Sequence, residues 1–177
     1  MRPSIRSVVW IGGVALAVIV LLPFFLSGRA HPAGPAGLAG SVAPALLMRD
    51  ERGRAVSLAD YRGKIVVMNL WATWCPPCRA EMPDLSRLAS TYASSGVVVL
   101  GIDQGESPQR AAAFAHSLRI DYPIWIDDEQ RYGRLFTALG LPTTVFVGRD
   151  GIVVTGFDGA LSYNQMRGVL DPLVKRS

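Results

Sequence analysis

Cys75 and Cys78 are the only two cysteines in this chain of 177 residues, and they stand in the stretch NLWATWCPPCRAEMP at residues 69–83. Three kinds of chemistry use two thiols at this spacing. A structural staple explains little, because a disulfide closing so short a loop barely restrains the unfolded chain. A zinc site needs two further ligands. His116 is the one histidine after residue 44, and it falls in a helical pattern that suits packing or solvent. A redox pair fits best. On the first turn of a helix, residues i and i+3 share a face, so the two sulfurs can close a ring. The positive end of that helix stabilises a thiolate, which is the attacking species in disulfide exchange. Cys75 is therefore read as the accessible nucleophile, and Cys78, one turn deeper, as the resolving thiol.

The elements that hold the pair are legible on either side of it. KIVVMNLW before the cysteines is a continuous apolar, partly β-branched run, which suits a strand buried on both faces. A helical stretch follows to about Ser94, with Pro83 expected to break or kink it. VVVLGID reads as a second buried strand. In SPQRAAAFAHSLR, Ser107 is an N-cap and Pro108 suits the first helical position. YPIWID is a short strand. DDEQRYGRLFTALG is expected to be a helix with acids in its first turn and Gly140 at its end. TTVFVGRDGIVVTGF is a hairpin turning at GRDG. SYNQMRGVLDPLV is a closing helix, with Ser162 and Gln165 at capping-box spacing. Two short strands around DERGR form a hairpin at the front. The fold class is thus α/β, a mixed central sheet flanked by helices.

Ahead of this domain, residues 8–26 carry no charge and follow Arg2 and Arg6. At ~1.5 Å per residue the run spans ~28 Å, close to a bilayer core. It exceeds a usual signal-peptide apolar region and lacks a clean A-x-A site, which favours a retained transmembrane anchor over a cleaved signal peptide. Either way the rest of the chain is placed outside the cytoplasm, with the N-terminus inside. Residues 1–26 are then cytoplasmic tail and anchor. Residues 27–44, rich in Gly, Pro and Ala, are a flexible linker reaching ~20–25 Å. Residues 45–177 are the extracytoplasmic domain. Three of the 18 basic residues, Arg2, Arg6 and Arg29, flank the apolar run, and the remainder nearly balance the 14 acidic ones. Nothing in that balance suits a nucleic-acid partner.

WCPPC after a buried strand, CRAEMP and then GLPTT, in that order, resemble the thioredoxin superfamily. The nearest subgroup is the membrane-anchored extracytoplasmic reductases similar to TlpA and ResA, which take part in cytochrome c maturation. The resemblance covers roughly residues 45–174. It implies a thioredoxin-like fold with a central βα insertion, about GESPQRAAAFAHSLRIDYPIW. Pro142 matches the family's cis-proline, and the backbone of Leu141 would pair with an extended substrate segment. Trp74 would shield the rim of the disulfide. Trp71 would pack in the core. Asn69 departs from the cytosolic thioredoxins, which have a buried aspartate there. Glu81 matches an acidic residue of the ResA-like subgroup, and burial would raise its pKa into a range useful for proton transfer. Otherwise it is a surface glutamate near a helix N-terminus.

Pro76 and Pro77 remove two N–H groups from the active-site loop, leaving that of Cys78 to reach the Cys75 sulfur. A thiolate with fewer donors favours the reduced form less, which lowers the reduction potential and makes a reductant. The expected function is disulfide reduction in extracytoplasmic proteins, apocytochrome c first among them. A membrane electron donor of the CcdA or DsbD type would recharge the pair, since no flavin or nicotinamide signature is visible and no metal or other cofactor is expected. A Cu(I)-binding metallochaperone and a disulfide-forming oxidase are the alternatives. A peroxidase of the peroxiredoxin type lacks its T-x-x-C pattern, because Ala72 stands three residues before Cys75.

Overall fold

The computed structural model describes residues 35–175. The apolar run at 8–26 and the first part of the linker lie outside the described residues. None of the described helices is long and apolar enough to cross a membrane.

Among the described residues, seven strands form one mixed sheet: β1 (Leu47–Asp50), β2 (Ala55–Ser57), β3 (Ile65–Trp71), β4 (Val97–Gln104), β5 (Ile124–Asp127), β6 (Thr143–Val147) and β7 (Val153–Asp158), in the order β2-β1-β5-β4-β3-β6-β7. The helices are α1 (Pro76–Tyr92), α2 (Pro108–Ser117), α3 (Arg131–Leu135) and α4 (Tyr163–Lys175). β3, β4 and β5 run parallel, and β6 returns antiparallel beside β3. The central position of β3 explains its unbroken apolar run, since every one of its residues is buried. Its side chains alternate between two cores. Ile65, Val67 and Trp71 join the cluster that contains Leu85, Leu88 and Met166, while Val66, Met68 and Leu70 join Leu100, Trp125 and Phe136. Gly101 of β4 leaves room for this packing, because a Cβ there would lie 3.1 Å from Trp71 Nε1 and 2.7 Å from Ile124 Cδ1.

The topology delivers two loops to one end of the sheet. The parallel strands β3 and β4 both finish at that end, with Trp71 opposite Asp103. β6 begins there, with Thr143 opposite Leu70. The chain after β3, the chain after β4 and the chain before β6 are therefore neighbours by register alone. α2 and β5 supply the expected βα insertion, and β1 and β2 the expected N-terminal hairpin.

Four local expectations need correction. Pro83 does not end α1, which continues to Tyr92. The apolar stripe of Met82, Leu85, Leu88 and Tyr92 keeps the helix seated across the missing N–H. α3 is five residues long instead of spanning the whole DDEQRYGRLFTALG stretch. Asp127 accepts from the N–H groups of Arg131 and Tyr132 and starts it, but Thr137, at φ 51°, turns the chain out of it. At α4, Gln165 Oε1 accepts from both the N–H and the hydroxyl of Ser162, so only the glutamine half of the capping box forms. Finally, the end of the proline- and glycine-rich segment is anchored. Pro35–Leu38 forms a 3-10 turn, Gly40 N–H donates to Val153 O and Val153 N–H to Ser41 O. Gly156 admits this strap, since a Cβ would lie 2.5 Å from Pro35 Cβ. Composition reads such a segment as a linker because it lacks periodicity. The unpaired backbone of the edge strand β7 is what holds it.

Candidate active site

Cys75 is the N-cap of α1, with Pro76 and Pro77 opening the helix and Cys78 on its first turn. The two sulfurs are bonded, with the Cα atoms 5.3 Å apart. Cys78 N–H donates to Cys75 Sγ at 3.2 Å. Because the two preceding residues have no N–H, this is the first helical donor that can reach the sulfur. Cys75 is not accessible in this disulfide form: it is 2% exposed, and Cys78 is fully buried. Both sulfurs belong to the core cluster under α1, and Leu141 packs against it. Trp74 points the other way and is 63% exposed.

The Leu141–Pro142 peptide bond is cis. Pro142 is buried at the start of β6, and its carbonyl accepts from Gly159 N–H at 2.8 Å. Its loop is pinned by Asp158, whose Oδ1 accepts from the Thr143 hydroxyl at 2.6 Å and from Leu139 N–H at 3.1 Å. Trp74 and Leu141 line a common groove of ≈ 430 Å³ with Gln104, Gln130, Arg134 and Leu139. Leu139 is 71% exposed at its lip. The groove therefore offers apolar surface and amide groups beside the disulfide.

Glu81 lies on the buried stripe of α1, three residues after Cys78 and one before Met82, and only 3% of it is exposed. That excludes the surface reading. Asn69 is on the same face of β3 as Val67 and Trp71, so it points at this helix. Its Nδ2 donates to Glu81 Oε1 at 2.7 Å and to Thr144 Oγ1 at 3.0 Å. Leu161 N–H donates to Glu81 Oε2 at 2.9 Å. Burial pushes the Glu81 carboxyl up to about 7, because these two neutral donors only partly replace lost water.

A second polar cluster was not singled out from the sequence. Thr73 N–H donates to Glu106 Oε2 at 2.6 Å and the Thr73 hydroxyl to Glu106 Oε1 at 2.7 Å. Arg110 pairs with the same carboxylate at 2.7 Å. Glu106 N–H donates to Asp103 Oδ1 at 3.0 Å. The signal available in the sequence was an aspartate closing an otherwise apolar strand, with a glutamate three residues on, in GIDQGES. His116, in the last turn of α2, is exposed and belongs to neither cluster.

Comparisons with known proteins agree with this architecture. The model of the AhpC/TSA family matches residues 39–155. The thiol-disulfide oxidoreductase ResA of Geobacillus thermodenitrificans (strain NG80-2) is 34% identical over 134 residues, covering 76% of this chain and 77% of the relative. The ResA protein of Bacillus subtilis (strain 168) is 28% identical over 150 residues, covering 85% and 84%. Among solved structures, a thiol:disulfide interchange protein of the thioredoxin family from Chlorobium tepidum TLS superposes with a TM-score of 0.69 at 26% identity, over 76% of this chain and 97% of that one. A secreted thiol-disulfide isomerase from Corynebacterium glutamicum gives 0.69 at 26%, over 75% and 84%.

Proposed function

Since the chain belongs to the AhpC/TSA family and carries its two cysteines as a disulfide at a helix N-terminus, we propose that it is a thiol–disulfide oxidoreductase that reduces disulfides in extracytoplasmic proteins. The observation that carries the reading is Cys75 at the N-cap, with the Cys78 N–H on its sulfur and a largely apolar groove alongside. The ResA relatives support the reaction class.

In the reduced enzyme the Cys75 thiolate attacks one sulfur of the client disulfide. A mixed disulfide forms and the client's other sulfur leaves as a thiolate. Glu81, ionised, draws the proton from Cys78, whose thiolate then attacks Cys75 Sγ. The client leaves fully reduced, and the enzyme is left with the Cys75–Cys78 disulfide seen here. Two electrons have moved from enzyme to client, and two must return from a donor before the next turn. Trp74, Leu141 and Pro142 border the face that an extended client strand would lie on. Apocytochrome c, which must present reduced thiols for haem attachment, is the client we infer. A membrane electron donor of the CcdA or DsbD type is the inferred source of reducing equivalents, and the run at 8–26 is the inferred anchor.

The test is capture in cells. A Cys78→Ser variant retains Cys75 and cannot resolve, so clients should accumulate as mixed disulfides, apocytochromes among them. Failure of the Cys78→Ser chain to capture any protein, or capture that persists when Cys75 is also replaced, overturns the reading. Equilibration with glutathione sets the direction. A potential near thioredoxin's ~ −270 mV supports a reductant, and one near the ~ −120 mV of a strong oxidant makes the protein a disulfide former.

A further inference from the structure

We propose that Glu106 is a positioning residue for the exchange reaction: its carboxylate, steadied by Asp103 and Arg110, grips Thr73 by N–H and hydroxyl together and fixes the backbone that presents Trp74 and Cys75. This rests on the reading of Cys75–Cys78 as the exchanging pair. Thr73 is the second residue after β3 and is only 8% exposed, so its two donors have little water to turn to. Cys75 N–H donates back to Ala72 O at 3.2 Å, closing a tight turn around Thr73 and Trp74. The orientation of Thr73 therefore sets where the Cys75 sulfur lies.

The grip comes from 33 residues away, and it is itself held. Glu106 is 9% exposed. Its N–H is tied to Asp103 Oδ1, and Arg110 Nε lies 2.7 Å from its Oε1 and 3.0 Å from the Thr73 hydroxyl oxygen. Asp103 is fully buried, and as a carboxylate its Oδ2 finds no donor among the described residues. As a neutral acid, that oxygen carries a proton that can be donated to Glu106. Burial first, then the hydrogen bond and charge of Glu106, push Asp103 up to about 8, while Thr73 and Arg110 hold Glu106 below the usual glutamate range. The arrangement is one neutral acid behind one ionised carboxylate, with the redox loop hanging from the second. It gives the βα insertion a task at the disulfide: Glu106 and Arg110 enter the chain just before and within its helix α2.

A loop released from this hold still contains both thiols and still borders the groove. It loses alignment of sulfur with sulfur, so turnover falls and substrate binding does not. The experiment uses the full-length chain and a disulfide-bonded peptide as substrate. Glu106→Ala should lower kcat by about 10- to 100-fold with KM within about twofold. Thr73→Val should lower kcat in the same way, and Thr73→Ser, which restores the hydroxyl, should recover most of that loss. Asp103→Asn, which keeps a donor towards Glu106, should retain far more activity than Asp103→Ala. If Glu106→Ala does not fold, the Thr73 pair decides the matter alone. Wild-type kcat in Glu106→Ala or in Thr73→Val, or failure of Thr73→Ser to recover rate, overturns the proposal. The parent reading fails separately and visibly: the unaltered chain would then be inactive, or would stay active after Cys75→Ser.

Discussion

Two buried glutamates flank the redox loop, and they do opposite things with a proton. Glu106 accepts from a backbone N–H, a hydroxyl and a guanidinium, and is held ionised. Glu81 accepts from a backbone N–H and an amide, with no cation among its contacts in the described residues, and burial moves it to about 7. The donor set decides which carboxylate can hold and which can exchange. Glu106 is built to stay put, while Glu81 can take up or release a proton near neutral pH beside Cys78. Asp158 offers a third case. It pins the cis-proline loop as Glu106 pins the redox loop, with one hydroxyl and one N–H, but from an exposed position where water competes.

The sharpest way to break this contrast is Glu81→Gln. The amide cannot accept the Cys78 proton, so resolution of the mixed disulfide should slow by about 10²-fold or more. The unaltered enzyme should gain rate as pH rises through about 7, and the variant should lose that limb. Rapid-mixing measurement of client release across pH checks both. An unchanged profile would reduce Glu81 to a structural role.

The same group makes a stability prediction. The Glu81 pKa is raised from 4.5 unfolded to about 7 folded, so the native state binds the proton more tightly. Its contribution is fully present below pH 4.5 and is lost as pH rises through about 7. Asp103, raised to about 8, adds a decline of the same sign. The difference between the oxidised wild type and Glu81→Gln isolates Glu81. It should change by on the order of 3 kcal/mol across that window in urea titrations.

Glu106→Ala comes next. It leaves two buried donors of Thr73 unmatched, for an expected loss of about 2 kcal/mol. Little of this comes from the Arg110 pair, because that guanidinium is largely exposed. Asp158→Ala should cost the least, about 0.5–1 kcal/mol in chemical denaturation, since solvent can satisfy the freed groups. Equal losses at the two positions would show that burial is not what separates the two pinned loops.

Much of the site is written in short stretches of chain. The spacing of Cys75 and Cys78, the prolines between them and the apolar run before them determine a sulfur pair on a helix's first turn, because a strand, a turn and an N-cap depend on neighbouring residues. Burial of β3 on both faces and the N-cap at Ser107 follow from equally local pattern. Where local pattern was the only guide it also misled. The stretch DDEQRYGRLFTALG around Tyr132 and Phe136 looked like a longer helix, and Gly and Pro before Ala43 looked like free linker. In both places a distant partner decides: a core that seats the two stacked rings of Tyr132 and Phe136, and an edge strand that accepts the strap.

What the tertiary structure alone decided is the identity of the groups behind the sulfurs. Thr73 meets Glu106 because parallel β3 and β4 end together, Asn69 meets Glu81 because α1 packs back against β3, and Asp158 meets Thr143 because β7 pairs antiparallel with β6. Sheet register and helix packing bring those side chains within bonding distance across 12, 15 and 33 residues of sequence. No period or motif encodes such a meeting, because it is fixed by how whole strands pack and not by any stretch of chain on its own.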